Sequence, residues 1–276
     1  MNDRELVFLK LGGSLLTDKT RPQALRAGVL RRLAAEIAGA LADRPDLRLL
    51  IGHGSGSFGH VAGRKYNTRA GVASPEGWRG FAETARAAGL LNRHVMEALG
   101  EAGVPALAFQ PSASAQCRDG ELVAMEWQPI RAALDHGLTP VVYGDVAFDA
   151  ARGGTIISTE EIFAWLAPQL APRRIVLAGE VVGVLSADPA SGVAGELIEE
   201  ITPAMWPQLV GALGGSHGVD VTGGMMAKVA AMLALVQAVP ALEAVQIISG
   251  LTPGLVREVL ADPRRRAGTR IAATRP

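Results

Sequence analysis

The chain has 276 residues, 49% of them hydrophobic and only 4% aromatic, which is enough to bury a large Ala/Val/Leu-packed core in one α/β unit or two closely apposed lobes. Twenty-seven acidic residues balance twenty-seven basic ones, so the footprint of a nucleic-acid binder is missing, and Arg264-Arg265-Arg266 reads as a solvated loop. The single cysteine, Cys117, excludes an intrachain disulfide and fits a reducing compartment, and no apolar run reaches the roughly eighteen residues of a membrane span.

The amino terminus, Met1-Asn2-Asp3-Arg4-Glu5, is charged and leads straight into an apolar run, which is not the pattern of a signal peptide; the cytoplasm is the expected compartment. Leu6 to Leu11 reads as a strand buried on both faces, closed by Lys10-Leu11-Gly12-Gly13-Ser14, with Lys19 following Thr17-Asp18. Adjacent glycines let the backbone turn its amides toward an anion, although the same pair also serves as an ordinary strand-to-helix turn. Leu30 to Leu41 carries a helical stripe, and Leu47 to Ile51 is the second strand. After it comes the densest signal, Gly52-His53-Gly54-Ser55-Gly56-Ser57-Phe58-Gly59-His60, in which residues 54 to 59 match G-x-G-x-x-G. A dinucleotide fingerprint should open a well-formed helix on the first strand, whereas 60 to 75 holds Gly63, Asn67, Gly71 and Pro75 and no sustained stripe, so two phosphate groups held side by side are preferred. His60 would donate a hydrogen bond to one of them, or be satisfied within the loop.

Trp78 to Leu99 is a long alanine-rich helix, on which Phe81, Ala85 and Ala88 form a stripe that lines an apolar slot or, more commonly, packs as core. Strands follow at Ala106 to Phe109 and Pro140 to Tyr143, with hairpin turns at Asp119-Gly120 and Gly153-Gly154 expected to add antiparallel strands at an edge. A soft division falls at 167–172; beyond it lie a strand at Arg174 to Leu177, a third glycine turn in Asp220-Val221-Thr222-Gly223-Gly224-Met225-Met226-Ala227-Lys228, a helix over Met225 to Val239 and a strand at Val245 to Ile248. That helix is apolar almost all round and is expected to be central, with Lys228 on its first turn as a phosphate-neutralising cation or a snorkelling surface lysine. The alternation of strand and helix predicts a single α/β domain over 1–276, an αβα sandwich with a mainly parallel central sheet and edge β-hairpins.

Only four of the twenty-seven Lys and Arg residues are lysines, and Lys10, Lys19 and Lys228 all stand in or just after glycine-rich turns. Lysine at these places supplies a compact point charge on a flexible stem, which favours phosphate as the ligand over the alternative of an arginine-heavy coding bias that spared a few lysines. No G-x-x-x-x-G-K-[ST] loop and no protein-kinase signature set is present.

Taken together, Lys10-Leu-Gly-Gly-Ser14 with Thr17-Asp18-Lys19, the Gly52 to His60 loop, Tyr143-Gly144-Asp145, Ile157-Ser158-Thr159-Glu160-Glu161-Ile162, Asp220 to Lys228 and Gly268-Thr269-Arg270-Ile271 resemble the amino acid kinase superfamily, and within it the isopentenyl phosphate kinases. His60, closing the second loop, marks the phosphate-accepting members of that superfamily. The resemblance implies a homodimeric αβα enzyme that moves the γ-phosphoryl of ATP, as its Mg²⁺ complex, onto isopentenyl phosphate to give isopentenyl diphosphate, with the acceptor in the amino-terminal lobe and the nucleotide in the carboxy-terminal one. By position it implies that Lys10, Gly12, Gly13, Ser14, Gly56, Glu180, Gly224 and Lys228 hold the nucleotide and that Lys19 stabilises the transition state. Gly54, Ser55, Gly59, His60 and Thr159 would meet the acceptor, and no protein ligand for Mg²⁺ is assigned. Three departures stand out: Ser55 for a usual glycine, Thr159-Glu160-Glu161 for Gly-Asp-Asp or Thr-Asp-Asp, and Glu180-Val181-Val182-Gly183 for Asp-Val-Asp-Gly. The first rival reading keeps the fold and changes the acceptor to a phosphonate of the fosfomycin type. A second is a non-catalytic nucleotide or metabolite sensor, and a remote third is a dinucleotide-dependent oxidoreductase.

Overall fold

The computed structural model describes residues 4–18, 20–187, 195–214 and 221–273. In chain order the amino-terminal elements are β1 (Leu6–Leu11), α1 (Gly13–Leu16), β2 (Thr17–Asp18), β3 (Ala24–Leu25), α2 (Ala27–Asp43), β4 (Arg48–His53), α3 (Gly56–Lys65), α4 (Pro75–Glu101) and β5 (Ala106–Ala108). They are followed by β6 (Gln116–Arg118), β7 (Glu121–Ala124), α5 (Gln128–Asp135), β8 (Thr139–Tyr143), β9 (Asp145–Asp149), β10 (Gly153–Ile157) and α6 (Thr159–Leu170). The remainder is β11 (Arg174–Gly179), β12 (Glu200–Ile201), α7 (Trp206–Gly214), α8 (Val221–Ala238), β13 (Ala244–Ser249), α9 (Leu255–Ala261) and β14 (Thr269–Ile271).

An eight-stranded sheet in the order β12-β14-β13-β11-β1-β4-β8-β5 carries the fold, with every pair parallel except β13 with β14. All six residues of β1 are buried, because helices cover both faces of a parallel sheet. Successive side chains alternate between two cores. Leu6 and Phe8 join Phe163, Leu166, Met232 and Val236 of α6 and α8, while Val7, Leu9 and Leu11 join Leu33, Ile37 and Val95 of α2 and α4. Lys10 therefore falls on the α6–α8 side, and that placement builds the site. The region of the soft division is the end of α6, stopped by Ala171 in the left-handed region (φ 53°) before β11 begins; strands from before and after it lie side by side in the one sheet.

Some local expectations hold and others differ from the structure. The turn at Asp119-Gly120 forms, both residues having positive φ (53° and 87°), as the tight turns that match strand twist require. The second hairpin turns one step earlier, at 150–152, with Gly153 and Gly154 already in β10. The two hairpins pair with each other, through β6 and β9, into a separate four-stranded sheet instead of extending the edge strand β5. The segment after the second glycine loop does open a helix, the ten-residue α3. Its glycines, costly in an isolated helix, are where neighbours come closest: a Cβ on Gly63 would lie 2.7 Å from Ile156 Cδ1.

Helix α8 starts at Val221, so Gly223 and Gly224 lie inside it and Lys228 is its eighth residue, two turns in and not on the first turn. Nor is α8 central. Val229, Met232, Leu233 and Val236 are buried, but Gly224, Ala227, Ala231 and Ala234 face solvent; its apolar look came from alanines, which favour helix whether or not they are covered.

Candidate active site

Parallel strands β4, β1 and β11 end side by side, with connections leaving toward opposite faces, which opens a crevice at their carboxyl ends. The loops there are laced together by single backbone hydrogen bonds just past the paired residues. Gly12 N donates to Ala178 O (2.8 Å), Gly54 N to Leu11 O (3.0 Å), Gly144 N to His53 O (3.0 Å) and Gly250 N to Gly179 O (2.7 Å). The two glycine turns then touch backbone to backbone. A Cβ at Gly13 would sit 2.4 Å from Gly56 N, and one at Gly54 would sit 2.8 Å from Gly13 N, so no side chain fits between them. Thr17 pins the junction: its hydroxyl donates to Gly13 O (2.8 Å) and accepts from Ser57 N (2.9 Å), while Gly56 adopts φ 51° with no room for a Cβ beside Thr17.

Over this floor three charges meet. Lys10 Nζ lies 3.0 Å from Glu160 Oε1, and Lys228 Nζ reaches the same oxygen at 3.6 Å. Glu160 owes its position to the start of α6. Ser158 caps that helix, accepting from Glu161 N (3.2 Å) and donating its own N–H to Glu161 Oε2 (2.5 Å), and Thr159 is locked to β4 by a 2.7 Å bond from its hydroxyl to His53 O. Burial works against the Glu160 charge, yet the ammonium groups of Lys10 and Lys228 outweigh it and hold the carboxyl below its usual range. The cluster is one carboxylate shared by two lysines, a net positive site.

The cavity around it has a volume of about 630 Å³. Of the residues expected from sequence, Lys10, Gly12, Gly13, Ser14, Gly54, Ser55, Gly59, Thr159, Glu180 and Lys228 line it. Gly56 lies behind the lining, against Gly13 and Thr17. Gly224 is exposed on α8, and its neighbour Met225 reaches the wall instead. Lys19 and the His60 side chain lie outside the described residues, His60 itself falling in α3.

At one end of the cavity Ser55, which caps α3, and Gly59 and Gly63 within it, spaced four apart, face Thr84 and Ala88 of α4 and Ile156 of β10, making a slot of small and apolar residues with Arg64, Asn67 and Arg69 also in the cavity lining. Of the expected stripe, Ala88 lines it, whereas Phe81 and Ala85 pack behind with Val72 and Val146. Leu177, Val181, Met225 and Ile247 form the wall at the other end, where the Glu180 carboxylate is held by Arg26 at 2.7 Å.

Three further residues escaped the sequence reading. Asp145 lines the cavity with its carboxylate accepting from Ser112 N (3.1 Å) and Val146 N (2.8 Å), and burial raises its pKa. His53 is wholly buried under the second loop, stacked on Tyr143, with its ring nitrogens near Asn92 Oδ1 and Gly54 O; burial lowers its pKa against the pull of those two contacts. Glu160 showed only as a departure from a pattern. Its signal in the sequence is an acid standing directly before Glu161, the acid of the Ser158 capping box. Among the described residues no group of three or more His, Cys, Asp or Glu side chains is arranged to hold a metal ion.

A mainly parallel α/β sandwich with two fused glycine turns and a lysine pair at its switch point defines a phosphate-handling class, and the amino acid kinase family model matches residues 5–244: the chain belongs to that family. It is similar to the isopentenyl phosphate kinase of Methanothermobacter thermautotrophicus, with 34% identity over 273 residues, 96% of this chain and 98% of the relative. Its similarity to the isopentenyl phosphate kinase of Haloferax volcanii is 38% over 231 residues, 83% of this chain and 88% of the relative. Among solved structures, X-ray structures of isopentenyl phosphate kinase share the fold at TM-score 0.81 and 30% identity, over 97% of this chain and 100% of that one.

Proposed function

We propose that this chain is an ATP-dependent kinase that phosphorylates isopentenyl phosphate to isopentenyl diphosphate. The observation that carries the reading is the Lys10–Glu160–Lys228 cluster over two fused glycine turns, with a narrow slot of small and apolar residues beside it. Two polyanions need cations and inward amides; a short branched alkenyl tail needs a slot without polar demands, which Gly59, Gly63, Ala88 and Ile156 supply.

In this reading Lys10, Gly12, Gly13, Ser14 and Lys228 hold the nucleotide phosphates, with Gly56 and Gly224 shaping the backbone around them. Lys19 neutralises charge in the transition state. Gly54, Ser55, Gly59, His60 and Thr159 hold the acceptor phosphate. An acceptor oxygen attacks the γ-phosphorus, the bond from that phosphorus to the β–γ bridging oxygen breaks, and ADP leaves with the bond's electron pair. A phosphomonoester with a second pKa of about 6 is largely dianionic at neutral pH, so no general base is required. Catalysis then rests on in-line positioning and on cancelling repulsion between the reactants. Magnesium arrives with ATP as part of the substrate. The cavity carboxylates fit that arrangement, since Glu160, Glu180 and Asp145 are each already engaged by lysine, arginine or backbone N–H groups, and Mg²⁺ is well served by phosphate oxygens and water. Among the described residues no helix is long and apolar enough to cross a membrane. We take the working form to be a cytoplasmic homodimer, a single domain whose amino-terminal lobe binds the acceptor and whose carboxy-terminal lobe binds the nucleotide.

ADP release over a panel of phosphomonoester and phosphonate acceptors tests the reading. Isopentenyl phosphate is expected to be turned over with much higher kcat/KM than fosfomycin. Lys228→Ala and Lys19→Ala should each lower kcat by about 10²–10³-fold, and His60→Ala should raise KM for the acceptor with little change for ATP. Unchanged kinetics in all three variants would defeat the residue roles.

A further inference from the structure

Glu180 stands where the family pattern puts a nucleotide-contacting acid, yet its carboxylate is taken by Arg26, 154 residues away in sequence, at 2.7 Å. A bare carboxylate at the nucleotide end would repel a triphosphate; the guanidinium removes that charge. Arg26 is also placed to matter. It follows β3 directly, caps α2 by accepting Leu30 N at its carbonyl (3.0 Å), and donates its own N–H to Leu16 O (2.8 Å), so it closes the hairpin that begins at Thr17.

That hairpin needs an anchor. Its strands are two residues each and pair only with one another; Leu25 and Thr17 seat its base on the core, but no strand of the main sheet holds the ribbon, and a two-stranded ribbon is marginal in water. The described polar contacts of Asp18 stay inside it, with Thr20 and Arg21. Gln23 N reaches Ser57 O only at 3.5 Å. Yet the hairpin starts with Thr17, whose hydroxyl joins the two glycine turns.

We propose that the Arg26–Glu180 pair is a clamp that fixes the β2–β3 hairpin to the loop after β11, so that both are positioning residues for phosphoryl transfer and Glu180 acts through Arg26, not as a ligand of the nucleotide. This rests on the kinase reading above and assigns Glu180 a different part in it. Loosening the clamp lets Thr17 drift, and with it the register of the two turns that hold the reacting phosphates. Both side chains are one-third exposed, so the pair is partly screened and its effect is moderate.

The test uses the full chain. Arg26→Ala and Glu180→Ala should each lower kcat about tenfold while KM for ATP moves less than about threefold, and the charge-swapped double variant, Arg26→Glu with Glu180→Arg, should recover most of the loss. Hydrogen–deuterium exchange, which needs no acceptor, should show faster exchange in the peptide spanning 16–26 in both single variants. A raised KM for ATP at unchanged kcat in Glu180→Ala, with Arg26→Ala silent, makes Glu180 a nucleotide ligand and overturns the clamp. So does unchanged exchange over 16–26, or a swapped double variant no better than the worse single one. If the wild-type chain releases no ADP with isopentenyl phosphate, the acceptor reading falls, and the exchange measurement alone decides the clamp.

Discussion

Glu160 is the residue that ties the site's cations together, one carboxylate facing two ammonium groups at 3.0 and 3.6 Å. Without it Lys10 and Lys228 would repel and splay; with it they are held together on one side of the crevice. Glu160→Gln keeps the shape and removes the charge. We expect kcat to fall about ten- to a hundredfold with no rise in KM for ATP, since the site becomes more positive but less ordered. The same variant has a pH signature. Glu160 is held below its ordinary value of 4.5, so its pairing stabilises the fold fully above that value and the contribution disappears as pH falls through the depressed one. Denaturant unfolding should therefore separate wild type from Glu160→Gln at pH 7 and bring them together in acid. A gap that widened on acidification would contradict the assignment.

Among elements, β1 links stability to function through its two ends. Lys10 sits at its carboxyl end in the cavity; just before its amino end Glu5, 6% exposed, pairs with Arg174 at 2.6 Å, and Arg174 also donates to Val259 O and Leu260 O at the end of α9. Truncating one partner of such a pair strands a buried charge, so Glu5→Ala should cost about 3–5 kcal/mol by urea unfolding. At temperatures where the variant stays folded, its kcat should match wild type, because the pair lies at the far end of the strands from the crevice. The elements also show what the sequence makes legible. Leu6 to Leu11 reads as a buried strand because an unbroken apolar run permits little else, and Lys10 within it already signals a lysine with a purpose. Helix α3 was hidden because Gly59 and Gly63 argue against helix until the close approach of Ser55 and Ile156 is known. The start of α8 was misplaced for a related reason: a Gly-Gly pair reads as a turn, and nothing local says that it lies within a helix.

For the whole molecule, the strand order decides which distant residues meet. With β1 between β4 and β11, the loops after residues 11, 53 and 179 converge, and Lys10, Glu160 and Lys228 come together from three thirds of the chain. The glycine turns and lysines were visible beforehand as types and spacings, whereas Glu160 and the Arg26–Glu180 contact were not, because pairs 150 and 154 residues apart leave no local trace. The separate sheet of β10-β9-β6-β7 likewise depends on β6 finding β9, a pairing that neither hairpin specifies alone. The chain has no formal net charge, whereas in the crevice two lysines share one acid. Direct transfer between two phosphates in that crevice is the central claim. Phosphorus-31 NMR of the wild-type chain with MgATP and isopentenyl phosphate tests it: the account predicts that the acceptor's single resonance is replaced by the two coupled doublets of an organic diphosphate, with ADP formed in equal amount. ATP consumption that yields only inorganic phosphate, or an acceptor resonance that persists unchanged, would contradict it.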